Sequence, residues 1–379
     1  MANVYVIQDD GSTEPMIRIR CVNEDRELQL ILEKNLDLLP GDQIDPEDPR
    51  RWLLIKREMP VPDPNTGSDR WSIDFFLADQ DAIPTFVECK RFGDTRSRRE
   101  VVGQVFEYAA NGHYYWTKEM LRDYAEQAAT GKRMSLEEAI RALQPADSDS
   151  PDAYFERLQE NLREGQVRIV FFMEESPMEL RSVVDFLNKQ MERSEVLLVE
   201  ARQYSRNGSR IVVPMLFGYT EEARQVKRSV TVTTAGSRRK CDKTTFFADA
   251  RQKLTPTDLQ SVEVFYARCL EMGFEIGWGT GKDNGSFTVK ESAISRKSLL
   301  QVTSYGALSL NFGWLKGSEP AERARDRLKA LVVQKGDLSI ADDYASKFPT
   351  YPIAAWSSRG GPLADALRDL LVEFPRTAP

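Results

Sequence analysis

The chain has 379 residues, a formal net charge of −7 and a single histidine. This length predicts two or three domains of about 150 residues each. One histidine excludes enzyme classes that need several, among them HNH nucleases, HD phosphohydrolases and His-x-x-Glu-His zinc enzymes. The four cysteines are widely spaced and form no Cys-x-x-Cys pair, which excludes a zinc or disulfide framework. Without a secretory leader or a long apolar run, the chain is expected to be cytoplasmic.

Helices and strands alternate through residues 1–222, which predicts an α/β domain. In chain order these elements are a helix that begins near Asn23 and ends at Pro40, strands at 52–55, 70–76 and 86–90, a helix that contains 103–108, a helical insertion at 118–163, a strand at 167–172, a helix at 179–190 and a strand at 196–200.

The rest of the chain is predicted to form a linker and a smaller domain. Residues 223–246 are rich in basic, Ser and Thr residues and lack a helical apolar stripe, so they indicate an extended linker, with contact to DNA as an equally open role. Residues 247–379 predict a smaller α+β domain. No residue in it indicates a chemistry, and we expect a recognition, partner-binding or oligomerisation module.

Three charged residues stand within strand-forming, apolar sequence. Asp74 lies among Ile73, Phe75 and Phe76, and a turn-rich spacer leads to Glu88 and Lys90. Because side chains alternate along a strand, Glu88 and Lys90 share one face, and Asp74 on the preceding strand can lie across from them. Buried charges are rare unless they are paired or bind a metal. The motif therefore predicts a metal site, with a structural ion pair as the alternative.

This arrangement resembles the PD-(D/E)XK nuclease superfamily. The resemblance implies a restriction-endonuclease-like core of helix, three strands, helix and strand, here with a helical insertion and followed by the smaller domain. It implies that Asp74 and Glu88 are metal ligands and that Lys90 is the lysine of the motif. The family often has a further glutamate on the first helix; Glu27 fits that position best, and Glu33 fits it less well.

Two further segments carry the resemblance. Gln104 and Tyr108 reproduce a Gln-x-x-x-Tyr element of the recombination-nuclease branch, and residues 36–42 and 98–104 look most like the archaeal-type mismatch endonucleases. No proline precedes Asp74, which departs from the family pattern. Four residues apart on one helix face, Gln104 and Tyr108 would position the water, the lysine or the DNA backbone. A polar pair at the edge of the core is the alternative.

The implied chemistry is hydrolysis of phosphodiester bonds with Mg²⁺, for which Mn²⁺ can substitute. Asp74, Glu88 and Glu27 would hold the ion, since magnesium takes oxygen ligands and keeps several waters. A lysine near its free pKa of about 10.4 is a poor base. For Lys90 we therefore favour an electrostatic role at the phosphate over deprotonation of the attacking water.

Arginines follow the motif directly and predict contacts to the phosphates beside the cut: Arg91, Arg96, Arg98 and Arg99. The expected partner is nucleic acid, with DNA favoured over RNA, in repair or anti-phage defence. No membrane is expected, and a homodimer is left open. The alternative function is a catalytically silent or ligand-gated protein that binds or senses nucleic acid with the same fold.

Overall fold

The computed structural model describes residues 4–46, 48–62, 69–91, 98–145, 149–220, 222–224, 227, 239–281 and 284–374. The chain divides into two compact units, one of residues 1–136 and 151–234 and the other of residues 137–150 and 235–379. Both contain helices and sheets, so the predicted α/β class is confirmed. No helix within the described ranges is long and apolar enough to cross a membrane.

The first unit contains nine strands and a set of helices among its described residues. The strands are β1 (Tyr5–Ile7), β2 (Thr13–Pro15), β3 (Ile17–Ile19), β4 (Leu53–Pro62), β5 (Asp69–Ala78), β6 (Pro84–Lys90), β7 (Arg168–Met173), β8 (Glu195–Arg206) and β9 (Ser209–Phe217). The helices are a π-helical turn (Asp25–Gln29) that continues as α1 (Leu30–Lys34), a 3-10 turn (Leu36–Leu38), α2 (Gly41–Ile44), α3 (Arg98–Tyr115), α4 (Lys118–Gly131), α6 (Pro151–Arg163) and α7 (Met178–Gln190). Helix α5 (Leu136–Leu143), between α4 and α6 in the chain, belongs almost wholly to the second unit.

Seven of these strands form one mixed sheet in the order β3-β8-β7-β6-β5-β4, with β9 paired to β8. Strands β4, β5 and β6 are antiparallel neighbours, whereas β6, β7 and β8 run parallel. The parallel strands are joined by helical crossovers, as parallel pairing requires. Strands β1 and β2 form a separate hairpin.

The central strands are apolar on both faces because helices cover both. On one face, Leu28 and Leu32 of the first helix pack in a core with Phe75 and Val87. On the other face, Phe76 and Phe86 stack near Trp116, with ring centroids 5.0–5.7 Å apart; helices α3, α4 and α6 contact the strands there. Strands buried on both faces have long apolar runs rather than simple alternation.

The turn between β5 and β6 is held by a buried carboxylate. Oδ1 of Asp79 accepts hydrogen bonds from the amides of Asp81 (2.9 Å) and Ile83 (3.0 Å). Its Oδ2 lies 2.9 Å from the guanidinium of Arg168 and 3.6 Å from that of Arg50. Asp79 and Arg168 are both almost fully buried. Each oxygen of Asp79 is therefore compensated, which fixes the hairpin at this end.

The second unit has seven strands among its described residues: β10 (Arg239–Lys240), β11 (Glu275–Trp278), β12 (Thr280–Gly281), β13 (Ser286–Glu291), β14 (Ser295–Thr303), β15 (Leu308–Leu310) and β16 (Thr350–Tyr351). Five of them form an antiparallel sheet in the order β11-β13-β14-β15-β16, and β10 pairs with β12. Its helices are α8 (Lys243–Lys253), α9 (Pro256–Glu271), α10 (Glu319–Gly336), α11 (Ile353–Trp356) and α12 (Gly360–Glu373), with 3-10 turns at Phe312–Trp314, Tyr344–Ser346 and Ser357–Arg359. The core includes Phe246, Phe265 and Trp356.

The unit boundaries differ from the predicted domains in two places. Residues 137–150, part of the predicted insertion, belong to the second unit. Within that unit Trp314 donates a hydrogen bond to the carbonyl of Ala142 (2.8 Å), and Lys347 pairs with Glu138. Residues 239–246 of the predicted linker belong to β10 and α8, because Asp242 and Thr245 form a capping box that begins the helix. Of the remaining linker, residues 225, 226 and 228–238 lie outside the described residues.

Replacing Asp79 with alanine should destabilise the first unit by about 3–5 kcal/mol, because it leaves Arg168 a buried charge with one partner fewer. Urea unfolding of the whole chain measures the effect. Asp152→Ala is the control, since this exposed residue pairs with Lys118 at the surface and its loss should cost less than about 1 kcal/mol. Equal unfolding midpoints for the two variants would contradict the anchoring role of Asp79.

Candidate metal centre

The pairing of β5 with β6 brings the two motif acids together. Phe75 pairs with Val87 in this antiparallel ladder, and one step further along it places Asp74 opposite Glu88. Lys90 follows Glu88 by two residues on the same strand face. The expected juxtaposition of the three side chains is therefore present.

Both acids are buried, and one of their oxygens lacks a partner. The exposed fraction is 8% for Asp74 and 3% for Glu88. Oδ2 of Asp74 accepts a hydrogen bond from the amide of Cys89 (2.7 Å), and Oε1 of Glu88 lies 3.0 Å from Nζ of Lys90. Oε2 of Glu88 is buried without a hydrogen-bond partner among the described residues. Since burying an unsatisfied polar atom is costly, this oxygen is available to a ligand.

Burial and neighbouring carboxylates make the two acids hard to ionise. Burial is the main reason that the pKa of Asp74 is raised to about 8, and the nearby carboxylate of Glu88 is the second reason. Burial likewise raises the pKa of Glu88, although Lys90 opposes this. A bound cation would remove the cost of ionising both groups.

Lys90 is a cation held among carboxylates. Burial disfavours its charge, but Glu88, Glu24 and Asp74 together raise the pKa of Lys90 above its ordinary value. The side chain is therefore an ammonium at neutral pH. This electrostatic environment supports a charge-balancing role and disfavours a role as general base.

The helix glutamate beside Lys90 is Glu24, which sequence reasoning missed. Oε1 of Glu24 lies 3.3 Å from Nζ of Lys90, and its Oε2 accepts a hydrogen bond from the amide of Arg91 (3.0 Å). The sequence feature that could have indicated Glu24 is Asn23, a residue type that often begins helices. The side chain of Asn23 accepts a hydrogen bond from the amide of Arg26, which marks the start of the helix and places Glu24 in its first turn.

The predicted glutamates Glu27 and Glu33 are engaged elsewhere. Oε2 of Glu27 accepts hydrogen bonds from the amides of Val22 (2.5 Å) and Asn23 (2.9 Å). These hydrogen bonds lower the pKa of Glu27, and the one from Asn23 has the larger effect. Glu33 pairs with Arg57 at 2.8 Å. We therefore replace Glu27 with Glu24 as the helix acid of the site.

The structure gives Tyr108 a place in the core. Its ring is fully buried in α3 and lies 6.2 Å, centroid to centroid, from the ring of Trp71. The side chain of Gln104, on the same helix, lies outside the described residues. The arrangement of Tyr108 fits the alternative of a packing residue better than contact with substrate.

Of the four arginines expected at phosphates, only Arg91 has a described side chain. Its guanidinium donates a hydrogen bond to the carbonyl of Val22 (2.8 Å), which ties the end of β6 to the segment before the first helix. Arg96 lies outside the described residues, as do the side chains of Arg98 and Arg99 at the start of α3.

The side chains present suit a hydrated, hard divalent cation. Among the described residues, no three His, Cys, Asp or Glu side chains are grouped so as to hold a metal ion. Magnesium needs only one or two carboxylates when waters and substrate phosphates complete its shell. Asp74 and Glu88 supply two, and Oε2 of Glu88, which has no hydrogen-bond partner within the described ranges, is an oxygen that a cation could satisfy.

Comparison with known proteins identified no relative. No family model, no curated protein and no solved structure matches this chain. The function is therefore inferred from the side chains and backbone of this chain alone.

Asp74→Asn should change how stability depends on pH in the absence of divalent cations. An acid whose pKa is higher in the folded state stabilises the fold while protonated, and this contribution disappears as pH rises from about 3.8 through about 8. The free energy of unfolding of the wild type should therefore fall relative to Asp74→Asn across this window, by on the order of 1–3 kcal/mol. The measurement is urea unfolding at a series of pH values.

Glu160→Gln, at an exposed position of α6, is the control, and its stability should follow that of the wild type at every pH. Parallel curves for the wild type and Asp74→Asn would show that Asp74 does not titrate in this window.

Proposed function

We propose that the chain is a metal-dependent nuclease that hydrolyses phosphodiester bonds, with DNA as the favoured substrate. One observation carries the proposal: two buried carboxylates face each other across adjacent strands beside a lysine whose pKa is raised, and one carboxylate oxygen has no partner among the residues that the structure describes. A structural ion pair would leave neither the excess negative charge nor the unsatisfied oxygen.

The order of elements around these residues supports a restriction-endonuclease-like core. The first helix precedes the antiparallel strands β4, β5 and β6, helix α3 follows, and β7 then adds to β6 in parallel. This is the order that the resemblance to the PD-(D/E)XK superfamily implies. Asp74 and Glu88 lie on its second and third strands, where that family carries its acids.

In the proposed mechanism Asp74 and Glu88 would hold Mg²⁺ or Mn²⁺. When bound, the ion would neutralise charge on the phosphate and lower the pKa of a water molecule. Glu24 accepts a hydrogen bond from the backbone amide of Arg91 and lies beside Lys90, so it orients the end of β6. The ammonium of Lys90 would balance the negative charge that develops on the scissile phosphate.

Asp74→Asn and Glu88→Gln should each lower the rate of phosphodiester cleavage by at least about 100-fold, as loss of a preorganised charge at a transition state does. The assay uses labelled single-stranded, double-stranded, mismatched and branched DNA, with RNA alongside, in Mg²⁺ or Mn²⁺. EDTA should abolish cleavage, and Glu160→Gln should cleave like the wild type.

Retained cleavage in a folded Asp74→Asn or Glu88→Gln variant would contradict the site. If the wild type binds these nucleic acids but cleaves none of them with either metal, the chain is a binding or sensing protein instead.

The charge of Lys90 should matter more than its ability to exchange a proton. Lys90→Arg keeps a cation and should cleave at least about 10-fold faster than Lys90→Met, which removes it. Cleavage rates of the two variants at pH 7 test this. Equal loss in both would indicate that Lys90 acts through proton transfer or a fixed shape rather than through its charge.

A further inference from the structure

Glu58 has an unusual backbone conformation directly across from Asp74. Its φ is +50°, in the left-handed region, although it lies inside strand β4. The residues on either side of Glu58 pair with those on either side of Asp74. The two acids are therefore cross-strand neighbours on the same face of the sheet.

The other described non-glycine residues with positive φ lie where chain reversals or helix ends account for them. They are Ala82 in the turn before β6, Arg133 after α4, Asn207 between β8 and β9, and Asp337 at the C-terminal cap of α10. No turn or helix end explains Glu58. Left-handed backbone at a residue with a Cβ costs free energy and is found preferentially at functional sites.

Glu58 completes a row of three carboxylates across three adjacent strands. Glu58 lies opposite Asp74, and Asp74 lies opposite Glu88. Like charges placed directly across a sheet repel one another, and the charge of Glu58 adds to the causes that raise the pKa of Asp74. On the far side of the row, Lys90 contacts Glu88. Among the described residues, no cation lies beside Glu58 in the way that Lys90 lies beside Glu88.

Glu58 is free to turn toward Asp74. Its side chain is exposed, and its Oε2 accepts a hydrogen bond from the hydroxyl of Ser72 (2.9 Å). In this arrangement the described residues contain no group of three acids that could hold a metal ion. A glutamate at the surface exchanges one such hydrogen bond for another partner at little cost.

We propose that Glu58 is the third carboxylate of the cation site, turning from Ser72 to face a divalent cation held by Asp74 and Glu88. The proposal rests on the proposed function. Two observations carry it: the position of Glu58 in the row, and the buried Oε2 of Glu88, a residue only 3% exposed, which has no partner among the described residues and points to a ligand. Lys90 contacts Glu88 at the other end of the row, so the Glu58 end is the one where a carboxylate would complete the site.

Mn²⁺ titration of the whole chain by calorimetry tests this without relying on activity. Glu58→Gln keeps the size of the side chain but removes its charge, and it should weaken Mn²⁺ binding by about 10-fold, as loss of a supporting carboxylate does. Glu160→Gln is the matched control and should bind Mn²⁺ like the wild type. Ser72→Ala, which removes the competing hydroxyl, should bind Mn²⁺ at least as tightly as the wild type.

Glu58→Gly separates a role at the cation from a role in the backbone. Glycine accepts a positive φ without strain, so this variant should have a raised Tm and yet bind Mn²⁺ as weakly as Glu58→Gln. A raised Tm with wild-type Mn²⁺ affinity would show that Glu58 only forms a strained bulge and would overturn the inference.

The outcomes for Asp74→Asn distinguish the two proposals. If Asp74→Asn loses Mn²⁺ binding while Glu58→Gln binds like the wild type, the inference fails and the proposed function stands. If the wild type itself does not bind Mn²⁺, both fail.

Discussion

The pairing of β5 with β6 places two buried carboxylates, Asp74 and Glu88, face to face, and the rest of the site is arranged around that contact. At the other end of the same hairpin, Asp79 and Arg168 hold the turn and so hold the register. A slip of one residue would move Asp74 to the opposite face of the sheet, into the core that contains Phe75. The anchor at the turn therefore maintains the site at the strand ends.

The two ends of this hairpin differ in how fully their buried negative charge is compensated. At the turn, Asp79 has two arginines and two amides for its two oxygens. At the strand ends, the described part of the chain offers Asp74 and Glu88 only the cation of Lys90, which Glu24 also contacts. A fully compensated cluster serves stability, whereas an undercompensated one costs stability and is retained where a ligand supplies the missing charge. This contrast within one hairpin supports the proposed cation site over a structural ion network.

Strand alternation in the sequence was enough to predict the face shared by Asp74, Glu88 and Lys90, and helix and strand patterning predicted the α/β class. The contact of Asn23 with Arg26 places Glu24 in the first turn of the helix, but which acid of that helix lies beside Lys90 depends on how the helix packs against the end of β6, a contact between residues distant in sequence. Nothing in the sequence marks Glu58, since a glutamate in a strand gives no sign of a positive φ. The grouping of residues 137–150 with the second unit depends on contacts distant in sequence, such as that of Trp314 with Ala142.

A cation at the proposed site would compete with a proton for the carboxyl group of Asp74. Among the described residues, Glu24, Glu58, Asp74 and Glu88 carry up to four negative charges around Lys90, and with a pKa of about 8 Asp74 retains a proton at neutral pH when nothing else balances that charge. A divalent cation would balance the same charge as this proton and would add bonds to the carboxylate oxygens. Its binding would therefore release protons, and its affinity would rise with pH until Asp74 is ionised without it. The buried setting that makes Asp74 hard to ionise is thus the property that would favour a cation there.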